Sequence, residues 1–337
     1  MVAEHRIEWD GLDAIGMVGL GCQLRGVPVQ MSYGGVVIST ENYVYKVTGD
    51  GEIRANVHRP LGEAVCPAIL WLHGGALMFG HRGAIAPEQV RRYVEAGYAV
   101  VSVDYRLAPE AKLDGIIADL QDAYAWLRGH GPDAFRIDPE RIAVIGHSAG
   151  GYLTLMTGFC VSPRPRALVS FYGYGDIAGD WYSRPDRHYN QQPAVPEGEA
   201  HQAIGSCAIA GTSFEDGSAE ARWRLYLYCR QQGLWPKLVT GHDPDEESDW
   251  FDAFCPLRNV TECYPPTLLI HGGQDTDVPF EQSALMAREL ERNGVAHELI
   301  ELEDRGHGFD TAAGGLQDPV VAGVFERVLG FLDERLW

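Results

Sequence analysis

One serine stands at a sharp turn in the sequence. Residues 146–150 (GHSAG) follow an apolar, β-branched run and precede a helical pattern, which is the strand–turn–helix setting that a Gly-x-Ser-x-Gly motif requires. The glycines tolerate the strained backbone of such a turn, where a neighbouring side chain would clash. The hydroxyl would then stand clear of the sheet at a helix N-terminus, where developing negative charge is stabilised. Ser148 is therefore the candidate nucleophile.

Two later loops supply the partners that such a serine needs. A serine hydroxyl is a poor nucleophile without an imidazole base, and the base needs an orienting carboxylate. His307 lies between two glycines after the last strand-like run, and residues 268–279 (LLIHGGQDTDVP) offer Asp275 and Asp277. We assign Asp275 as the orienting acid and give Asp277 a structural role, such as capping the helix that follows. Asp275→Asn should then impair activity severely and Asp277→Asn mildly.

A third loop is rich in glycine and follows an apolar run. Residues 70–80 (LWLHGGALMFG) place two glycines where backbone N–H groups could face a carbonyl oxygen with no side chain in the way. We expect the N–H groups of Gly75 and Ala76, joined by that of Ala149, to form an oxyanion hole. Taken alone, the same residues would also suit an ordinary glycine-rich turn.

The elements that position these loops alternate along the chain. Strand-like runs alternate with stretches of helical spacing, which predicts an α/β fold with a mostly parallel central sheet and helices on both faces. Every candidate loop follows a strand, and ligands bind beyond the carboxyl ends of such strands. The predicted strands are 42–47 and 52–59, which form a hairpin, and 67–72, 98–104, 141–146, 167–171, 267–270 and 297–302. The predicted helices are 87–96, 113–128, 151–159, 222–232, 280–293 and 320–336.

The alternation stops between residues 176 and 264, a stretch rich in aromatic and acidic residues. We therefore predict a core formed by residues 1–175 and 265–337, with 1–41 as an N-terminal arm and 176–264 as an insertion. The aromatic residues of the insertion would mostly form its own small core, and a few would line a substrate pocket. The candidates are Trp181, Tyr182, Trp223, Tyr226, Tyr228, Trp235, Trp250 and Phe251.

Charge and composition exclude several functions. The net charge of −20 disfavours nucleic acid as a partner. No apolar run approaches the ~20 residues of a membrane span, and the first residues lack a secretion-signal pattern. Seven cysteines without a CxxC pair predict reduced thiols and a cytoplasmic protein, although a bridge between Cys255 and Cys263 stays open. The histidines lack metal-ligand spacing, so we expect no metal and no cofactor.

Together these loops resemble those of the α/β-hydrolase superfamily, in particular esterases of the hormone-sensitive-lipase type and prolyl-oligopeptidase-like hydrolases. The resemblance covers the chain from about residue 42 to the end, outside the insertion, and it implies the α/β-hydrolase fold with 176–264 as a lid. It also supports Asp275 as the triad acid. The matching pieces are HGG at 73–75, DYRLAPE at 104–110, GHSAGG at 146–151, HGGQDTDVP at 271–279 and RGHGF at 305–309.

Two positions depart from the family pattern. Ala76 replaces a third glycine but still donates an N–H. His147 stands where lipase-type esterases carry an acid, at a position that faces away from substrate, and so receives no catalytic role. The resemblance further implies that the DYRLAPE stretch at 104–110 braces the oxyanion loop and does not touch substrate.

The resemblance implies a carboxylesterase-type serine hydrolase that cleaves small-molecule esters of small to medium acyl length through an acyl-enzyme on Ser148. An amidase or peptidase of the prolyl-oligopeptidase-like type is the first alternative, although only some sixty residues precede the 67–72 strand, too few for the propeller of those peptidases. A non-catalytic receptor on the same fold is the second, disfavoured because such proteins usually lose a triad member. The sequence leaves open whether the chain forms a homo-oligomer.

Overall fold

The computed structural model describes residues 29–33, 36–213, 215–312 and 314–337. The strands are β1 (Val29–Tyr33), β2 (Val36–Thr48), β3 (Gly51–Pro60), β4 (Cys66–Leu72), β5 (Ala99–Val103), β6 (Ile137–His147), β7 (Ala167–Phe171), β8 (Thr267–Gly272) and β9 (His297–Leu302). The helices are α1 (Pro87–Glu95), α2 (Leu113–Phe135), α3 (Ala149–Cys160), α4 (Asp180–Ser183), α5 (Glu197–Ala200), α6 (Ser218–Gln232), α7 (Trp235–Thr240), α8 (Glu281–Arg292) and α9 (Pro319–Leu336), with short 3₁₀ turns between some of them.

The strands of the described residues form one sheet in the order β1-β2-β3-β5-β4-β6-β7-β8-β9. From β5 to β9 all neighbours are parallel, while β1, β2 and β3 add an antiparallel edge. The predicted α/β class with a mostly parallel sheet is confirmed. Of the arm predicted at 1–41, residues 1–28 lie outside the described residues, and 29–33 and 36–41 lie in β1 and β2.

Helices cover both faces of the sheet. In β4, Ala68, Leu70 and Leu72 belong to one apolar cluster, and Ile69 and Trp71 belong to another, because successive side chains of a strand point to opposite faces. The first cluster includes buried residues of α2, α3 and α8, and the second includes those of α1 and α9. The sheet is thus buried on both sides, as its continuous apolar strands predict.

Helix α2 is longer than its sequence predicts. The prediction ended it at residue 128, before a Gly-His-Gly-Pro run, yet the helix continues through Pro132 to Phe135. Phe135 is buried and contacts the rings of Tyr43 at 4.9 Å and Trp126 at 5.2 Å between centroids. Burial of this aromatic residue outweighs the poor helix propensity of the preceding glycines and proline.

The strand order reverses around β4, and this reversal brings two of the candidate loops together. Strand β4 lies between β5 and β6, so the loops after β4 and β6 leave the same edge of the sheet side by side. Helix α3 begins directly against the end of β4. A Cβ on Gly150 would lie 2.1 Å from the carbonyl oxygen of Leu72, so only glycine permits this approach.

The insertion between β7 and β8 contains α4 to α7 and, in its described residues, no strand. None of the helices that the structure describes has both the length and the apolar character that a bilayer span requires.

The close approach at Gly150 can be tested by Gly150→Ala. The added methyl group would clash with backbone, which cannot yield easily, so we expect the free energy of unfolding to fall by about 1–3 kcal/mol. Gly323→Ala in α9 is the matched control, because a Cβ there meets nothing within 4 Å, and alanine should add up to about 1 kcal/mol to helix stability. Urea denaturation of both variants measures the difference, and equal stability of the two would contradict the packing described.

Candidate active site

Ser148 occupies a strained turn between β6 and α3. Its backbone lies at φ 55° and ψ −119°, a conformation that costs a non-glycine residue about 1–3 kcal/mol. The turn is held by the Ser148 N–H, which donates to the carbonyl of Phe171 at 2.9 Å. A Cβ on Gly146 would lie 2.1 Å from the carbonyl oxygen of Gly150. The chain therefore folds this tightly only with glycine in the motif.

Asp275 lies after β8 and contacts the ring of His307. Its Oδ2 is 2.7 Å from His307 Nδ1, and its side chain has no exposed surface. Its Oδ1 accepts hydrogen bonds from the backbone N–H groups of Asp277 at 2.8 Å and Val278 at 2.9 Å. Burial alone would raise the pKa of Asp275, but the contacts with His271 and His307 outweigh it and hold the pKa below its usual value. Asp275 is therefore an ionised, fully bonded carboxylate.

His307 follows β9 and is only partly buried. Its ring packs against Tyr172, with 4.6 Å between the ring centroids. Burial disfavours the charged ring, but the nearby carboxylates of Asp277 and Asp275 outweigh burial and raise the pKa of His307 above its usual value. A neutral ring that donates from Nδ1 to Asp275 leaves Nε2 free to accept a proton.

Ser148 and His307 line one cavity of about 350 Å³. Asp275 does not line it and lies behind the His307 ring. The wall is largely apolar and aromatic, with few polar groups, as is usual for small-molecule sites. The other lining residues are Trp71, Gly74, Gly75, Ala76, Phe79, Gly80, His81, Ala84, Ala86, Gln89, His147, Tyr172, Thr212, Ala219, Trp223, Tyr226, Asp277, Gly308 and Thr311.

The loop after β4 presents free backbone N–H groups at this cavity. Gly75, Ala76 and Leu77 have φ values of 107°, 53° and 61°, and the turn is closed by Phe79 N–H donating to the Gly75 carbonyl at 2.9 Å. In the part of the chain that the structure describes, the N–H groups of Gly75, Ala76 and Ala149 have no hydrogen-bond acceptor. These three unpaired donors suit an incoming oxyanion.

Residues 104–110 support the loop after β4. The Tyr105 hydroxyl donates to the carbonyl of His73 at 2.8 Å, and the two rings stack 4.1 Å apart. The Ala108 N–H donates to the Leu77 carbonyl at 2.8 Å. No residue of this stretch lines the cavity, which agrees with the bracing role that the resemblance implies.

The insertion is also bonded to this loop. Trp235 Nε1–H donates to the Ala76 carbonyl at 2.8 Å. Thr212 and Gly80 exchange two hydrogen bonds, of 2.9 and 3.0 Å. Arg222 donates to the Ala108 carbonyl at 2.8 Å. Hydrogen bonds from the insertion therefore stabilise the strained turn at residues 75–77.

The buried aromatic residues of the insertion pack against one another and against the core beneath them. Trp235 stacks on Tyr182 at 3.9 Å, and Tyr182 stacks on Trp181 at 4.0 Å. Of the eight aromatic residues considered from the sequence, Trp223 and Tyr226 line the cavity. The expectation that a few of them line the cavity agrees with this arrangement. The expectation of a separate small core does not, because Tyr182, Trp235 and Phe251 belong to the same apolar cluster as the core-facing residues of β4, α2 and α3.

Asp277 makes contacts far beyond its own loop. Its Oδ1 accepts from the hydroxyls of Tyr189 and Tyr226 and lies 3.1 Å from Arg230 Nη1. Its Oδ2 lies 3.5 Å from His307 Nε2. The sequence carries no signal for this cluster, because its other members belong to the insertion, far from Asp277 along the chain.

Asp310 is a further buried carboxylate, and no sequence pattern predicts its contacts. Asp310 accepts from Gln89 at 2.6 Å and from the Tyr172 hydroxyl at 2.6 Å, and its Oδ2 lies 3.0 Å from His147 Nε2. Burial would raise the pKa of Asp310, but His147 and the hydrogen bonds lower it to about 2. His147 lies at the cavity wall instead of facing away from it, although it is only 6% exposed.

Two further features that the sequence raised are a metal site and a disulfide bond. No group of three or more His, Cys, Asp or Glu side chains among the described residues could hold a metal ion. Cys255 and Cys263, whose pairing the sequence left open, are both free thiols.

Comparison with known families identifies the class of protein. The family described as the alpha/beta hydrolase fold matches residues 69–311, so the chain belongs to this family, and the predicted resemblance is confirmed. An alpha/beta hydrolase superfamily protein from Enterococcus faecalis shares the fold with a TM-score of 0.65 and 25% identity, over 88% of this chain and 99% of that one. Thermogutta terrifontis esterase 2 superposes with a TM-score of 0.62 at 20% identity, over 88% of this chain and 94% of that one, which shows the fold alone.

Sequence relatives include an esterase and much larger synthases. Esterase LipC of Mycobacterium tuberculosis is 29% identical over 257 residues, which cover 75% of this chain and 55% of LipC. The non-reducing polyketide synthase adrD of Penicillium rubens is 27% identical over 344 residues, which cover 89% of this chain. The chain spans only 14% of the length of that synthase. Esterases and parts of much larger proteins are thus both among its relatives.

The electrostatic effect of Asp277 on His307 can be tested by Asp277→Asn. A nearby carboxylate favours the protonated imidazole, so its removal should lower the pKa of His307. Asp186→Asn is the control, because Asp186 binds the same Arg230 at 2.9 Å but does not contact the His307 ring. An NMR titration of the His307 ring protons, assigned with His307→Gln, measures both variants. An unchanged or higher pKa in Asp277→Asn would contradict the electrostatics described.

Proposed function

We propose that this protein is a carboxylesterase-type serine hydrolase that cleaves esters of small to medium acyl chains. Ser148 is the nucleophile, His307 the general base and acid, and Asp275 the orienting carboxylate. The N–H groups of Gly75, Ala76 and Ala149 bind the oxyanion. The observation that carries the proposal is the 2.7 Å contact between His307 Nδ1 and Asp275, made at the wall of the cavity that Ser148 also lines.

The geometry suits two successive acyl transfers. Asp275 holds the His307 ring through Nδ1, so Nε2 can take the proton of Ser148 as its oxygen attacks the ester carbonyl. The negative charge that develops on the carbonyl oxygen is stabilised by the free N–H groups, which are already in place before the reaction. His307 then passes the proton to the leaving alcohol. Water attacks the acyl-enzyme by the same route, and Ser148 is regenerated.

The cavity supports the substrate size. A volume of about 350 Å³ lies at the small end of ligand pockets, which favours short acyl and alcohol groups. The segment 176–264 forms part of the wall through Trp223 and Tyr226, consistent with the lid that we predict there.

The roles of Ser148 and the two carboxylates can be separated by mutation. Ser148→Ala should lower kcat on p-nitrophenyl butyrate by about 10⁶-fold, since the nucleophile is lost. Asp275→Asn should lower it by about 10⁴-fold, because the imidazole would lose its orientation and preferred tautomer, whereas Asp277→Asn should cost far less. Steady-state kinetics on the purified variants checks this order, and a reversal of the two aspartate effects would refute the assignment of the acid.

A non-catalytic receptor is distinguished by covalent labelling. A fluorophosphonate probe should modify Ser148 in the wild-type protein and fail to modify His307→Ala at the same pH, because an unactivated serine reacts poorly. Mass spectrometry of the labelled peptide reads the site. Absence of labelling at Ser148 in the wild-type protein would favour the receptor.

Acyl thioesters are a second candidate substrate class. The observation that favours them is the similarity to the polyketide synthases, which extends over 89% of this chain for adrD of Penicillium rubens. Polyketides are assembled as acyl thioesters, and the same nucleophile, base and oxyanion donors would serve for a thioester. An amide is the harder substrate because its amine must be protonated to leave, so amidase activity ranks behind both.

Matched substrates separate these classes. We expect p-nitrophenyl butyrate to be cleaved at least about 10²-fold faster, by kcat/KM, than butyryl p-nitroanilide. Butyryl-N-acetylcysteamine, with ethyl butyrate as the oxygen ester of similar size, tests the thioester reading. Preferential cleavage of the anilide would overturn the esterase proposal in favour of an amidase, and a thioester rate far above that of ethyl butyrate would favour thioesters.

A further inference from the structure

The Asp277 carboxylate has one oxygen saturated and one open. Oδ1 receives the hydroxyls of Tyr189 and Tyr226 and lies beside the guanidinium of Arg230. Oδ2 has no hydrogen-bond donor among the described residues, and its near neighbour is His307 Nε2 at 3.5 Å. Because Asp277 lines the cavity and its side chain is 17% exposed, this open oxygen is available to a bound molecule.

Arg230 does not neutralise the charge of this site. Its guanidinium is shared between Asp277, at 3.1 Å, and Asp186, at 2.9 Å, so two carboxylates face one cation. The guanidinium is 1% exposed and is enclosed by aromatic rings, among them Tyr189 at 4.9 Å and Tyr182 at 5.0 Å. It cannot turn toward the cavity to cancel the second negative charge. The cluster therefore presents a net negative potential through Asp277 Oδ2.

Asp277 is the charged side chain of the cavity wall, whose other polar lining residues, such as Thr212 and Gln89, are neutral or imidazole groups. Among the described lining residues it is the one carboxylate, and no lysine or arginine is present. The neighbouring wall is formed by the aromatic side chains of Phe79, Trp223 and Tyr226. A hydroxyl or a cation on the substrate would therefore find its best partner at Oδ2, because an aromatic wall solvates it poorly.

The position of Oδ2 indicates which half of the ester it would contact. In the proposed reaction His307 Nε2 gives its proton to the leaving oxygen, so that oxygen must lie within hydrogen-bond reach of Nε2. Since Oδ2 lies 3.5 Å from the same nitrogen, a polar group a few bonds along the alcohol from the leaving oxygen can reach it.

We propose that Asp277 is a specificity-determining residue that selects esters whose alcohol carries a hydroxyl or a cationic group on the carbon next to the ester-bearing carbon. The proposal rests on the proposed esterase function and names the class of alcohol that the site prefers. A vicinal hydroxyl would donate to Oδ2, and a quaternary ammonium would bind by charge and by contact with the aromatic wall.

Two pairs of acetate esters test the proposal. In the first, 2-hydroxyethyl acetate is compared with propyl acetate, which replaces the hydroxyl by a methyl group. In the second, 2-(trimethylammonio)ethyl acetate is compared with 3,3-dimethylbutyl acetate, its neutral isostere. We measure kcat/KM by pH-stat for the wild-type protein, Asp277→Asn and Asp186→Asn. The first pair reports a hydrogen-bond donor and the second a cation.

The wild-type protein should prefer the polar member of at least one pair by about tenfold, the value of a hydrogen bond or charge contact with a carboxylate. Asp277→Asn should abolish most of that preference, while Asp186→Asn should keep it, because Asp186 does not line the cavity. Equal kcat/KM within both pairs for the wild-type protein overturns the proposal without recourse to any variant. A preference that survives in Asp277→Asn also overturns it.

These outcomes are distinguishable from failure of the proposed function. If kcat/KM is the same for the polar and the apolar acetate of each pair, the esterase function is supported and the proposed role of Asp277 is wrong. If neither the acetates nor p-nitrophenyl butyrate is hydrolysed, the esterase function and the proposed role of Asp277 are both wrong. Fluorophosphonate labelling of Asp277→Asn shows that a lost preference does not come from a collapsed site.

Discussion

The Asp275 carboxylate is a buried charge, and burying a charge without partners costs several kcal/mol. Two backbone N–H groups of its own loop satisfy one oxygen, and His307 contacts the other at 2.7 Å. This contact links the loop after β8 to the loop after β9, which are also joined by the Gln274 N–H that donates to the Arg305 carbonyl at 2.9 Å. The orientation of the His307 ring, and with it the access of Nε2 to the cavity, follows from this requirement that the charge be satisfied.

Another carboxylate–imidazole pair lies at the cavity, and it differs from Asp275–His307 in bonding and in packing. Asp310 Oδ2 lies 3.0 Å from His147 Nε2, but neither ring nitrogen of His147 makes a hydrogen bond, whereas His307 Nδ1 is hydrogen-bonded to Asp275. The His147 ring, however, stacks on Phe171 at 4.5 Å and lies 5.5 Å from Trp71, and its side chain is 8% exposed, against 24% for His307. His147 thus fastens the strand end beneath Ser148, whereas His307 keeps one nitrogen open to the cavity.

The sequence predicted those features that rest on local signals. The loops with Ser148, Asp275 and His307 each follow a predicted strand, and their glycines mark sharp turns, so their common edge of the sheet could be inferred. The end of α2 could not be predicted, because it depends on the contact between Phe135 and Tyr43, a residue of β2. The hydrogen bonds between Asp277 and the insertion could not be predicted either, since no periodicity or turn signal links residues so far apart.

The insertion is predicted to be a lid, and its contacts bear on how such a lid could work. Lifting the whole segment would break the Trp235 bond to the Ala76 carbonyl and separate Arg222 from Glu110, an ion pair at 2.6 Å with side chains 4% and 5% exposed. Each buried polar group left unpaired costs about 1–3 kcal/mol, and the strained turn at Ala76 would lose its support at the moment when substrate arrives. These costs favour an insertion that stays bonded to the loop after β4. Access would then depend on side chains at the rim, such as Trp223, which is 36% exposed and lines the cavity.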